Sequence, residues 1–230
     1  MKILAIDSTA NTSTVALLEN EALLGMYTAN TKNTHSETLL PMVKSLLSTL
    51  NVSSDCIDAY AVSNGPGSFT GVRIGVATIK GLAFNKDKPC VEISTIEALS
   101  ENLEGFSGIV CPIMNARRGQ VYTGAFLNGR RIIDDCCMML EDLIPILESY
   151  HESIYFVGDG YSLIDNAEIN GLKKTPEMLR YQNAYSVGKI AYRKLLKGEI
   201  TSDSGIRVEY LRKPQAERER EEKLAKESLQ

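Results

Sequence analysis

Histidine is nearly absent from this 230-residue chain. Only His35 and His151 occur, so there is no HxxxH or HExxH pair of the kind that holds a catalytic metal. Cysteine is sparse as well: Cys56, Cys90, Cys111, Cys136 and Cys137 are odd in number and lack CxxC spacing. That excludes a disulfide framework and a zinc knuckle, and leaves buried free thiols in a reducing cytosol. Positive charge is not in excess, with 25 Lys plus Arg against 29 Asp plus Glu, so autonomous binding of nucleic acid is not expected. The opening MKILAIDS is an apolar run broken at Asp7, too short for a secretory h-region or a bilayer span. A cytoplasmic location without membrane contact is the expectation. No GxSxG elbow accompanies Ser68, and neither GxxxxGK[ST] nor GxGxxG occurs.

What is present is a repeated pattern. Residues 3–6 read as a buried strand, 14–18 as a second and 22–28 as a third, with a hairpin turn at Glu19-Asn20-Glu21. The pattern returns at 109–114, 120–127 and 130–134, where Asn128-Gly129 is a type I′ turn signal. Each meander is followed by alternating helices and strands. In the first half these are a helix over 37–50, a strand over 57–62, a helix over 68–84, a strand over 90–93 and a helix over 95–103. In the second half they are a helix over 141–150, a strand over 154–157 and a helix over 184–196, with 166–180 as loop and short helix. Thr34-x-x-Glu37 is a capping box, and Pro41 either kinks the helix that follows or moves its start to about Thr38. The fold class is therefore α/β, built from two ribonuclease-H-like halves in the manner of the actin, heat-shock ATPase and sugar kinase group. The halves are placed at 1–104 and 105–211. A charged tail follows at 212–230, read as solvated helix or disorder.

Residues 63–83, SNGPGSFTGVRIGVATIKGLA, hold five glycines and one proline. A glycine inside a helix costs about 1 kcal/mol relative to alanine, so something must come close to this backbone. Phe69, Val72, Val76, Ile79 and Ala83 form one apolar stripe, and Gly71 and Gly75 lie on a neighbouring face where a second helix can approach. The 37–50 helix is two-sided, with Leu39, Met42 and Leu46 beside Leu40, Val43, Leu47 and Leu50. Such a pair either docks against something outside or is buried within one domain; the pattern leaves both open. Asp7 and Ser8, at the end of the first strand, are the candidate nucleotide and magnesium residues, giving the alternative of a weak actin-like ATPase. The loop from Asp7 to Thr14 lacks glycine, which favours a turn-capping Asp7. His35, at a helix start, reads as a capping or surface residue. Arg117, Arg118, Arg130 and Arg131 make a local basic cluster, read as a solvated loop face. A peptidase would need a nucleophile–base pair, and none is apparent.

The blocks ILAIDSTANTSTVAL, HSETLLP, SNGPGSFTGVRIGVATIKGLA, NARRGQVY, VGDG and EYLR, in this order, resemble the bacterial TsaB (YeaZ) family over nearly the whole chain. The resemblance implies a non-catalytic paralogue of TsaD, the subunit that threonylcarbamoylates adenosine next to the anticodon of tRNA. It implies direct binding to TsaD, a complex with the small ATPase TsaE, and contact with tRNA only through that complex. It also implies self-association and TsaD binding through helices of the N-terminal half. On segments 37–50 and 68–84 the candidate contacts are Leu39, Met42, Val43, Leu46, Phe69, Thr70, Gly71, Arg73, Ile74, Gly75 and Thr78. No catalytic residue, metal or cofactor is expected. TsaD relatives hold a metal with a spaced histidine pair, and here His35 stands alone. Asn115 stands where many relatives carry aspartate before Arg117 and Arg118.

Overall fold

The first three strands form the meander that the alternation predicts: β1 (Lys2–Asp7), β2 (Thr12–Glu19) and β3 (Ala22–Asn30), paired antiparallel in sequence order. In this computed structural model, which describes residues 1–31, 34–165 and 167–212, β4 (Ala59–Gly65) and β5 (Cys90–Ser94) add in parallel on the other side of β1. The sheet order is β3-β2-β1-β4-β5. The second half repeats it with β6 (Ile109–Arg117), β7 (Gln120–Leu127), β8 (Arg130–Met139), β9 (Ile154–Val157) and β10 (Leu172–Lys173), ordered β10-β9-β6-β7-β8. A three-stranded meander with parallel strands beyond its first strand is the ribonuclease-H-like arrangement, present twice.

Several boundaries differ from the sequence reading. The fourth strand begins at Ala59 rather than Ile57, because Ser54–Cys56 form a 3-10 turn that delivers Ile57 to the core first. β8 runs five residues past Asp134, its length set by pairing along all of β7 rather than by its own mixed sequence. β10, inside the segment read as loop, has two residues and so no periodicity to detect.

Helix α1 (His35–Thr49) opens at Thr34, whose N–H donates to the Glu37 carboxylate at 3.2 Å. It runs through Pro41, so its start is not displaced to Thr38. The missing N–H removes the bond to Glu37 O within the helix's first turns, and the exposed ring meets no core neighbour. Helix α2 (Phe69–Ala83) is capped by Ser68, which accepts from the Gly71 N–H at 3.3 Å. Helices α3 (Thr95–Glu101), α4 (Leu140–Glu148) and α5 (Ala184–Lys197) complete the set.

Period-two alternation in the first sheet splits its side chains between two cores. Leu4, Ile6, Val15 and Leu17 face α1 and α2, while Ile3, Ala5, Ala16 and Leu18 face Ala184, Val187, Ile190 and Ala191 of α5. Sequence position groups α5 with the second half, yet it packs on the first sheet, and the Ala184 N–H donates to Thr14 Oγ1 at 3.3 Å. Among the described residues no helix is long and apolar enough to cross a membrane. From residue 213 the charged tail lies outside the described residues.

Candidate functional site

The C-terminal ends of β1, β4 and β6 open on a cleft of about 540 Å³ between the halves. Its lining includes Thr9 but neither Asp7 nor Ser8, the candidate nucleotide and magnesium residues. Asp7 is fully buried: its Oδ1 accepts from the Thr9 N–H at 2.8 Å and the Thr9 hydroxyl at 2.7 Å, and its Oδ2 from the Ser63 hydroxyl at 2.6 Å. Burial pushes its carboxyl above the usual carboxylate range, against those hydrogen bonds. Asp7 therefore holds the β1–β2 turn together, with both oxygens engaged.

Ser8 is committed in the same way, donating to the Gly71 carbonyl at 2.9 Å. A Cβ on Gly71 would collide with the Ser8 carbonyl oxygen, and one on Gly75 would sit 2.6 Å from Ser8 Oγ. One on Gly67 would strike the Thr9 carbonyl. The close approach that these glycines require thus comes from the β1–β2 loop of the same chain. This corrects the expectation that Gly71 and Gly75 receive an outside helix. Leu39, Val43 and Leu46 are likewise core residues, each 1 % exposed, because α1 turns that row inward to the sheet. Of the other predicted contacts, Thr70 and Arg73 are exposed, while Met42, Phe69, Ile74 and Thr78 are half-buried. The glycine of α2 that is open to approach is Gly81, whose Cβ would meet nothing within 4 Å.

His35 ties α1 to the same loop. Its Nε2 lies 2.7 Å from the Ala10 carbonyl, which makes that nitrogen the donor, and Nδ1 lies 2.6 Å from Ser13 Oγ. The contact is a serine–histidine pair that the sequence reading missed, because its members come from β2 and α1. Ser13 is 3 % exposed beneath α1, so a substrate carbonyl does not reach it. Among the described residues no three His, Cys, Asp or Glu side chains gather to hold a metal.

Across the cleft, Asn115 lies near the end of β6, and its Oδ1 accepts from the Arg117 N–H at 2.8 Å. Asp159, which entered the sequence reading only within the VGDG block, follows the end of β9 and accepts from the Asn115 N–H at 3.4 Å. Its carboxyl is held above its ordinary range by burial, with a further push from Asp7. The four arginines do not cluster. Arg117 and Arg118 sit at the β6–β7 turn and Arg130 and Arg131 at the β7–β8 turn, about 24 Å away along β7 by strand rise. Arg131 pairs with Asp135 and lies 4.6 Å from the Phe126 ring centre. The thiols are not uniformly buried either: Cys56 is exposed, whereas burial pushes Cys90 up to about 11 and Cys111 up to about 12.

A family model described as TsaD, tRNA N6-adenosine threonylcarbamoyltransferase, matches residues 17–220. The Bacillus subtilis tRNA threonylcarbamoyladenosine biosynthesis protein TsaB is 38 % identical over 167 residues, 71 % of this chain and 73 % of the relative. The chain belongs to the TsaB (YeaZ) family. The Haemophilus influenzae TsaB is 28 % identical over 92 % of this chain and 94 % of its own length. A Pseudomonas aeruginosa crystal structure, titled as similar to the peptidase YeaZ, superposes with a TM-score of 0.79 at 26 % identity, covering 92 % of this chain and 99 % of that one. In this chain the residues that sequence reasoning missed at the cleft are Asp159, Tyr210 and Arg212. The EYLR block was the one available signal for the last two.

Proposed function

We propose that this chain is an accessory, non-catalytic subunit in threonylcarbamoylation of adenosine next to the anticodon of tRNA, acting in the cytoplasm by binding and stabilising or activating TsaD together with TsaE. The observation that carries the reading is the use of the glycine-rich block. Its backbone is closed by Ser8 and Thr9, while α1 and α2 keep an outer face with Leu40, Thr70, Arg73, Ala77 and Gly81 exposed. A helix pair built on glycines that its own chain occupies is a stiff platform, suited to contact rather than to nucleotide turnover. The TsaB names of its relatives and the TsaD match support the same reading. Self-association through this face would compete with TsaD.

The test mixes the purified chain with TsaD and measures complex formation by light scattering, with Gly81→Leu as the blocking variant. A stable complex that Gly81→Leu weakens is expected; equal binding by a folded Gly81→Leu protein overturns the proposed face. Calorimetry with magnesium and ATP decides the alternative ATPase, which predicts tight binding by the isolated chain.

A further inference from the structure

Beyond α5 the chain returns to the first half. Thr201 bridges to Cys90 at the start of β5, and Ile206, 1 % exposed, joins the core beneath α2. Val208 packs against the same core, the Arg207 N–H donates to the Glu92 carboxylate, and the contacts continue. Asn64 Nδ2 donates to the Arg207 carbonyl at 3.1 Å, and the Glu209 N–H donates to the Asn64 carbonyl at 2.9 Å. Gly65 lies so close to the Glu209 carbonyl that a Cβ there would collide with it. Tyr210 then stacks on Phe69 with ring centres 5.0 Å apart. Arg73 closes the group: its Nε donates to the Tyr210 hydroxyl at 2.8 Å and its guanidinium carbon lies 3.7 Å from the Phe69 ring centre. Finally Arg212 Nη1 crosses the cleft and donates to the Ala116 carbonyl of β6 at 2.9 Å.

One short segment thus joins the first turn of α2 to the opposite half of the molecule. We propose that residues 206–212 are an intramolecular strap that couples the second half to the first turn of α2 and sets the shape of the α2 face. This deepens the reading of α2 as the partner-binding helix and rests on it. Phe69 and Arg73 lie one turn apart at the start of α2, and an arginine free in water carries large rotamer entropy. Stacked on Phe69 and hydrogen-bonded to the Tyr210 hydroxyl it is already ordered, so a partner meets a pre-shaped surface. Arg212 makes that order depend on the position of β6, since the strap is held at both ends.

The strap is tested by hydrogen exchange on the full chain with Tyr210→Phe, Tyr210→Ala and Arg212→Ala. Tyr210 is 42 % exposed, so its truncation empties no core. Amides at 71–74 are expected to exchange about tenfold faster in Tyr210→Ala and Arg212→Ala, with Tyr210→Phe between them and wild type. Amides of β1 and β7 should keep their wild-type rates, which separates loosening of α2 from global destabilisation. Should Tyr210→Ala fail to fold, Tyr210→Phe and Arg212→Ala decide. Wild-type exchange at 71–74 in Arg212→Ala overturns the coupling. In a second arm the same proteins are titrated with TsaD, and Arg212→Ala is expected to bind about tenfold more weakly. Undiminished binding with faster exchange overturns the claim that the strap shapes the partner face. If wild type does not bind TsaD, the proposed function falls while the exchange arm still decides the strap.

Discussion

The two halves share a sheet order and differ in how they are clothed. The first sheet is covered on one face by α1 and α2 and on the other by α5, and seven of the eight residues of β2 are buried. The second sheet has α4 against one face and α3 against the other, and five of the eight residues of β7, the counterpart of β2, are buried. At equivalent strand ends the first half buries Asp7 in three hydrogen bonds, whereas the second exposes Asn115 beside a tight turn. The difference lies in a single insertion of character: the glycine-rich α2, which has no counterpart after β9, where a 3-10 turn at Tyr161–Ile164 follows instead.

The largest expected effect strikes the closure that sets the first half apart. Gly71→Leu drives a side chain into the Ser8 carbonyl and should destabilise the fold by about 3 kcal/mol or more, read from urea unfolding. A shift below about 1 kcal/mol would mean that the β1–β2 loop is not locked on α2.

Next is the buried carboxyl. The folded protein holds the Asp7 proton to higher pH than the unfolded chain does, so it binds more protons in the interval between the two values. This contribution is fully present below the ordinary carboxylate range, declines as pH rises, and levels off above the raised folded value. Asp7→Asn should flatten that decline in a series of unfolding midpoints. Asp159→Asn should do so less, since its half-buried carboxyl has the same sign of shift in a more open site. An unchanged slope in Asp7→Asn would remove the carboxyl from the account.

Gly81→Leu, on the open face of the same helix, should leave stability unchanged or raise it by up to about 1 kcal/mol through helix propensity. Its contrast with Gly71→Leu separates glycines that serve the chain's own packing from one that serves approach from outside. The smallest perturbation is chemical. At neutral pH Cys56 should alkylate readily and Cys90 and Cys111 hardly at all, as followed by mass spectrometry, because burial holds the latter two protonated. Fast labelling of Cys111 would show that the second half opens more easily than its core implies.

Sequence alone determined the repeated meander, the helix cap at Thr34 and the type I′ turn at Asn128-Gly129, both of whose residues have positive φ. These are local: period-two alternation, a capping residue and a left-handed turn act within a few positions of themselves. It also determined that something must lie against Gly71 and Gly75, since glycine in a helix needs a reason. What lies there was decided by tertiary structure, because Ser8 is 63 positions away and nothing in its neighbours announces the contact. The same holds for Ser13 with His35, for α5 on the first sheet, and for Tyr210 on Phe69. Which apolar row of α1 faces inward was equally beyond the pattern, because both rows have helical spacing and only the sheet beneath selects one. Periodicity identifies a face; the partner of that face is set by how distant segments close around it.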